Sequence, residues 1–177
     1  METDIGLLIL RVVVGLIFAA HGAQKAFGWW NGPGPAGWTA AMNRMGLRPA
    51  PFWAFVSTAA ELGAGTALAL GLFTPLVVAG LTSQAVVIIF RAHWAAGFWN
   101  ANRGFEFPLA LFGGILAILF TGPGAWALDT ALPLDLLYEP IVRWGVSVVA
   151  VIVGFIVVAM PKPTPPAAPQ PNPKQPS

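Results

Sequence analysis

Cysteine is absent from the sequence, and charged residues make up only 9% of its 177 residues. Without a thiol the chain can form neither a structural disulfide nor a dithiol redox pair, which excludes the disulfide-exchange membrane enzymes. Soluble domains carry roughly 25% charged residues. The low charge, together with 56% hydrophobic residues, therefore predicts a membrane protein with the lipid bilayer as its surroundings. The net charge of +2 comes without a basic patch interleaved with aromatic residues, so we expect no nucleic acid partner.

Five apolar segments are long enough, or nearly so, to cross the bilayer as helices, since a span needs about 20 apolar residues. They cover residues 5–27, 52–73, 75–96, 107–128 and 141–160. The first segment follows an acidic start, "METDIG", and is too long for the apolar part of a secretory signal, so we expect a retained helix. The predicted fold class is an all-α, multi-pass transmembrane helical bundle.

Basic residues are distributed unevenly about these spans. Most of them fall on the side that holds the loops 28–51 and 97–105 and the C-terminal tail, whereas the other side has only Arg143. Loops rich in lysine and arginine stay in the cytoplasm. The N-terminus is therefore predicted outside and the C-terminus in the cytoplasm, in an inner or plasma membrane. All eight tryptophans lie near predicted helix ends or in the first loop, as expected of residues at the headgroup level.

The chain divides into three predicted parts. Residues 1–128 form a membrane core of four helices, residues 129–160 a loop with an additional helix, and residues 161–177 a proline-rich tail that we expect to be disordered. Within the first loop, residues 39–47 have the composition of a short helix lying in the membrane interface; an ordinary connecting loop is an equal alternative.

One acidic residue, Glu61, lies in the otherwise small and apolar stretch "STAAELGAG" of the second span. An ionisable group at this depth is costly, and it usually faces the bundle interior beside a partner. With a rise of 1.5 Å per residue, Arg11 of the first span and Glu61 differ in depth by only about 7 Å, which an arginine side chain can bridge. We therefore predict a structural ion pair between Arg11 and Glu61.

Helical periodicity gathers polar residues into stripes that also contain glycine or alanine, a composition that lets membrane helices approach closely. A compact bundle with a polar interior follows. Each of the first four spans has one such stripe: Arg11, Gly15, Phe18, Gly22 and Lys25; Ser57, Glu61, Gly65 and Leu68; Gly80, Gln84, Val87 and Arg91; and Glu106, Ala110, Gly113 and Ala117.

The two histidines do not fit the stripes equally well. His21 lies on the shoulder of the first stripe, four residues before Lys25. His93 follows Gln84 by nine residues, which places it on the opposite face of a regular helix. Either the third span ends near Arg91 or His93 faces the lipid headgroups.

Three of these stretches together resemble the DoxX family of small bacterial membrane proteins: "RVVVGLIFAAHGAQK", "ELGAGTALALG" and "FEFPLAL". The resemblance covers roughly residues 5–128 and implies a core of four helices, to which the fifth helix and the tail are additions. Some DoxX-like proteins are membrane subunits of thiosulfate:quinone oxidoreductases. Others belong to membrane complexes that combine superoxide detoxification with sulfur transfer. The resemblance thus implies a small membrane subunit of a redox assembly with partner subunits.

Several titratable residues could together hold a quinone headgroup, which needs hydrogen-bond donors and a proton route within an apolar cleft. A purely structural role, with no catalysis of its own, and transport of a small solute or protons are the alternatives. No zinc or phosphate-binding motif occurs, so we expect no metal site, and the two histidines lack a spacing typical of haem ligands. Glycine-rich faces are compatible with a homo-oligomer. The candidate quinone site consists of His21, Lys25, Glu61, His93 and Glu106.

Overall fold

The computed structural model describes residues 1–162, and it is built from helices joined by short turns. The predicted tail falls, from residue 163 onward, outside the described residues. Four of the helices are long and apolar enough to cross a membrane. In chain order the helices are α1 (Glu2–Phe27), α2 (Gly34–Arg44), α3 (Ala50–Leu70), α4 (Thr74–Ala96), α5 (Glu106–Thr121), α6 (Asp135–Tyr138) and α7 (Pro140–Ala159). The all-α, multi-pass prediction is confirmed.

Helix α5 is shorter than the predicted fourth span, residues 107–128. It ends at Thr121, and its 16 residues correspond to about 24 Å, less than the roughly 30 Å of a hydrocarbon core. Gly122 follows with φ 83, a conformation that favours glycine, and Pro123 cannot donate to a continuing helix. The predicted end at residue 128 is therefore wrong, and an irregular connection with a short 3-10 turn at Leu128–Ala131 follows instead.

The helices α1 and α3 touch through their backbones. A Cβ atom added at Gly15 would lie 2.6 Å from the Gly65 carbonyl oxygen, and one added at Gly22 would overlap the backbone of Leu62. Small residues at such crossings let two membrane helices gain van der Waals contact along their length. The predicted glycine stripes of the first two spans therefore lie at the interface between α1 and α3, and they fix which residues of the two helices are level.

Helix α4 lies at the centre of the bundle and contacts α3, α5 and α7. Its buried apolar side chains, such as Val78 and Leu81, form one cluster with side chains of α1, α3 and α5. Helix α7 packs along α4 at Gly154, whose added Cβ would lie 3.0 Å from the Ser83 carbonyl oxygen. The buried apolar core includes Val14, Phe18, Leu68, Val78, Leu81, Ile115 and Ile118.

Helix α2 is an integral part of the bundle. It spans Gly34–Arg44 and thus begins before the predicted segment 39–47, since Pro35 near its start is pre-organised for a first helical turn. Met42 is 4% exposed and packs with Leu47 and Val157. Helix α2 therefore closes one end of the space between α3, α4 and α7.

Arg91 holds the ends of α2 and α7 together. Its guanidinium donates to the Met45 carbonyl oxygen at 2.6 Å and to the Met160 carbonyl oxygen at 2.8 Å. Further bonds of 2.9 to 3.3 Å reach the carbonyl oxygens of Val157, Val158 and Pro161. The charge of Arg91 thus lies at the C-terminus of α7, where the unpaired carbonyl groups of a helix carry partial negative charge.

Candidate functional site

Lys25 of α1 and Glu61 of α3 form an ion pair inside the bundle. Glu61 is 1% exposed, and the Lys25 side chain is 11% exposed. The contact between Gly22 and Leu62 lies directly beside the pair and sets its geometry, because it brings the two backbones together one turn before Lys25. A charge this deep in a bundle requires a counter-charge, and each residue supplies that of the other.

Glu61 also belongs to a hydrogen-bonded chain that reaches α4. Gln84 Nε2 donates hydrogen bonds to Glu61 Oε1 at 2.9 Å and to Ser57 Oγ at 3.0 Å. On the other side, Lys25 Nζ lies 4.0 Å from the centre of the Trp38 ring, a distance at which an ammonium group is attracted to the ring face. The pair is thereby connected to α2, α3 and α4 at once.

A cavity of about 260 Å³ opens beside this pair. Its wall is mostly apolar and aromatic, with a few polar groups that converge on one region, which is the usual composition of a small-molecule site. Both charges of the ion pair and both histidines of the chain line it. We call it the polar cavity; its lining residues include Phe18, His21, Lys25, Trp38, Glu61, Ile88, Ala92, His93, Asn100, Phe107 and Leu111.

His93 reaches the polar cavity because α4 winds as a π-helix over Ile88–His93. A π-helical turn contains an additional residue, so the face of the helix shifts and His93 lines the space beside Glu61. The predicted end of the third span near Arg91 is therefore wrong, since α4 continues to Ala96, and the ring of His93 lines the polar cavity. Helix α3 has its own π-helical segment, Ala60–Ala64, which contains Glu61.

The hydrogen bond of His93 determines which nitrogen of its ring carries a hydrogen. Nδ1 lies 2.7 Å from the carbonyl oxygen of Arg103, and a carbonyl oxygen can only accept. Nδ1 therefore carries a hydrogen, which leaves Nε2 as the acceptor of the neutral imidazole. His93 can thus take up a proton at Nε2 while the Arg103 carbonyl holds its ring in place.

The two other predicted site residues, His21 and Glu106, differ in their relation to the polar cavity. His21 lines the polar cavity, and its Nδ1 is 3.2 Å from Gln24 Oε1. Glu106 is not part of the lining; its Oε2 accepts a hydrogen bond from the Asn100 backbone amide at 2.9 Å. Because Asn100 lines the cavity, Glu106 acts on the site only through the loop that it holds.

Comparison with known proteins places this arrangement in a family. Residues 6–94 match the DoxX family model. The chain belongs to the DoxX family. The matched region contains Lys25, Glu61, Gln84 and His93, whereas the part of the cavity wall contributed by α5 lies beyond it.

Two curated proteins resemble this DoxX chain over most of its length. The uncharacterized membrane protein Rv3486 of Mycobacterium tuberculosis is 30% identical over 135 residues, which cover 71% of this chain and 80% of the relative. The inner membrane protein YqjF of Escherichia coli is 30% identical over 132 residues, covering 73% of this chain and 93% of the relative. No solved structure matches the chain. Family, relatives and apolar helices agree that this is a membrane protein.

Arg11 of the DoxX chain does not pair with Glu61, so the predicted ion pair is wrong. Arg11 is 2% exposed, and its guanidinium packs against Gly71 and donates to the Trp126 carbonyl oxygen. The glycine contacts explain the error, since they place Gly22 level with Leu62 and Arg11 level with Gly71. Ten residues of α3 separate Gly71 from Glu61, or about 15 Å.

Asp129 is a buried acid that the sequence did not single out. Its two carboxylate oxygens accept hydrogen bonds from the backbone amides of Phe73 at 2.6 Å and Thr74 at 2.8 Å, at the start of α4. The Tyr138 hydroxyl donates to it at 2.5 Å. Burial, followed by this hydrogen bond, raises the pKa of Tyr138, so the phenol remains a donor at neutral pH. The only signal for this site was an acid in a loop next to apolar residues, a pattern shared by solvated loops.

Proposed function

We propose that the polar cavity binds the headgroup of a quinone and that the protein is a small membrane subunit of a redox assembly. The observation that supports this most directly is the buried Lys25–Glu61 pair in a cavity that two imidazoles also line. A quinone ring is flat and apolar, and its carbonyl oxygens accept hydrogen bonds. Phe18, Phe107 and the other apolar residues of the wall suit the ring.

The residues of the cavity could serve the proton chemistry of quinone reduction. Each reduced carbonyl oxygen takes up one electron and one proton. Lys25 offers N–H donors to an oxygen, and His93 Nε2 exchanges a proton without losing the bond that holds its ring. The electrons come, in this proposal, from a partner subunit. The family resemblance supports such a partner.

The proposal includes an orientation in the membrane. The side that holds α2 and the loop before α5 carries most of the lysine and arginine residues, which favours a cytoplasmic location. The polar cavity would then lie nearer the cytoplasmic face. Because the chain has no cysteine, Thr3→Cys and Lys162→Cys variants each provide a single site. A membrane-impermeant maleimide added to intact cells should label the first and not the second.

Co-purification tests quinone binding. The protein is purified in mild detergent without added cofactors, and its organic extract is analysed by mass spectrometry. We expect quinone in the wild type and in Asp135→Asn, which changes an exposed acid. We expect none in Glu61→Gln. Equal amounts of quinone in all three proteins, or none in the wild type even after incubation with quinone, would overturn the proposal.

A structural role is the second candidate, and one observation favours it. Glu61 already has two partners, Lys25 and Gln84, so the polar chain is complete without a ligand. In that case the pair fixes how α1, α3 and α4 meet, and nothing binds. The double variant described in the Discussion separates the two candidates, because it removes both charges and thus the need for a counter-charge.

A further inference from the structure

A second, apolar cavity of about 120 Å³ adjoins the polar cavity. Trp38, Ile88 and Ala92 line both cavities. Gln84 and Ser57 border the second cavity, and Glu61 the first, so the hydrogen-bonded chain runs between them. The remaining wall is formed by α2, α3, α4 and α7. We call this space the apolar cavity; its lining includes Met42, Met45, Leu47, Trp53, Val56, Val87, Val153 and Val157.

The apolar cavity borders the lipid-facing surface. Val56 of α3 is 37% exposed and Val153 of α7 is 46% exposed, and both line the cavity. In a membrane protein such outward-facing valines contact hydrocarbon. An apolar chain could therefore pass between α3 and α7 from the bilayer without crossing water.

Trp38 separates the two cavities, and packing rather than hydrogen bonding keeps it in place. Its indole Nε1 is buried and has no hydrogen-bond partner among the described residues. Its attraction to Lys25 acts across the ring face at 4.0 Å. Because this nitrogen has no partner in the described part of the chain, a movement of the ring would break no hydrogen bond there. A buried donor without a partner also costs free energy in the present position.

We propose that one amphiphilic ligand occupies both cavities, with its polar ring beside Lys25 and Glu61 and the first part of its apolar chain in the apolar cavity, Trp38 moving aside between them. This inference rests on the proposed function and extends it from a headgroup to a ring with an isoprenoid-like chain. Methionine side chains, which adapt to irregular apolar shapes, suit a flexible chain. Met42 and Met45 are two of the chain's four methionines.

The test compares two quinones with the same ring, a dimethoxy-methyl-benzoquinone with and without a decyl chain. Binding to the full chain in one fixed detergent is followed by quenching of tryptophan fluorescence. Val87→Phe fills the apolar cavity, and Val149→Phe, on the exposed face of α7, is the matched control. We expect Val87→Phe to weaken binding of the decyl compound about tenfold, as if about two methylene groups had lost their burial. The compound without the decyl chain should bind Val87→Phe and Val149→Phe with the same affinity.

Each other outcome overturns the inference in a distinguishable way. Both compounds could bind the wild type while Val87→Phe weakens the binding of neither, or of both equally. The decyl chain of the ligand then does not use the apolar cavity, although the headgroup site stands. If neither compound binds the wild type, the proposed function fails and the inference with it.

A second measurement on the wild type guards against misfolding of Val87→Phe. A quinone with a diazirine at the third carbon of its chain is cross-linked by light, and the adduct is located by peptide mass spectrometry. Adducts on Met42, Met45 or Trp53 support the inference. Adducts confined to lipid-facing residues such as Val149 and Ile152 would contradict it.

Discussion

Lys25 and Glu61 meet at the point where Gly22 lets the backbones of α1 and α3 touch. The ion pair and the glycine contact are therefore one unit, in which the close approach determines the partner of each charge. Disturbing either part should change the other, which makes the unit accessible to substitution.

Removing one charge of the pair should destabilise the protein more than removing both. Lys25→Met or Glu61→Gln alone leaves a buried charge unpaired and should lower the free energy of unfolding by about 3 kcal/mol, whereas the double variant should recover most of this loss. Reversible unfolding in mixed micelles measures the difference. If the double variant regains stability and still lacks quinone, the pair serves binding. If the double variant regains stability and also binds quinone, the pair is only a structural link.

Gly22→Ala should destabilise the contact between α1 and α3 by about 1–3 kcal/mol, because its methyl group would overlap the backbone of Leu62. Gly63→Ala is the matched control, since nothing lies within 4 Å of an added Cβ at that position. We expect Gly63→Ala to be neutral or slightly stabilising. Thermal unfolding in detergent compares the two, and equal midpoints would contradict the close contact.

Asp129→Asn should lower the free energy of unfolding by about 3–6 kcal/mol, because hydrogen bonds to a charged group contribute about 1.5–3 kcal/mol each and the amide, with only one acceptor oxygen, loses two of them. The lost bonds involve the start of α4 and Tyr138. Asp135→Asn, at an exposed position, should change stability by less than about 0.5 kcal/mol. Similar losses in both variants would argue against a special role for Asp129.

Arg91→Met should loosen the ends of α2 and α7, since it removes every side-chain hydrogen bond to the Met45, Val157 and Met160 carbonyl oxygens. We expect faster amide exchange in residues 45–48 and 157–160, with little change in α5. Hydrogen exchange followed by mass spectrometry resolves these segments. Arg44→Met, an exposed arginine in the last turn of α2, should leave the exchange pattern unchanged.

Periodicity predicted which faces of the first two spans meet. The stripes containing Gly15, Gly22 and Lys25 on one helix and Glu61 and Gly65 on the next do meet. Glycine and charge at spacings of three and four residues carry this information, because both depend only on helical geometry.

The failures have three physical causes. The position of His93 depends on a π-helical segment, which no pattern of residues in the sequence predicts. The partner of Arg11 depends on the relative height of two helices, which is set by the Gly22 contact and not by distance from the membrane edge. The role of Asp129 depends on a loop folding back onto the start of α4, a long-range contact that local sequence does not encode.

The additional residue wound into α4 at Ile88–His93 makes the winding of a single turn a determinant of the site. Regular α-helical winding of the same residues would turn the following side chains by about 100°, and the imidazole would leave the cavity although the sequence was unchanged. Deleting one residue together with the π-helical turn would instead keep the imidazole on its present face, because the two changes cancel. Such proteins can therefore gain or lose a codon in this turn and retain the proton-exchanging group, provided that the winding changes with it.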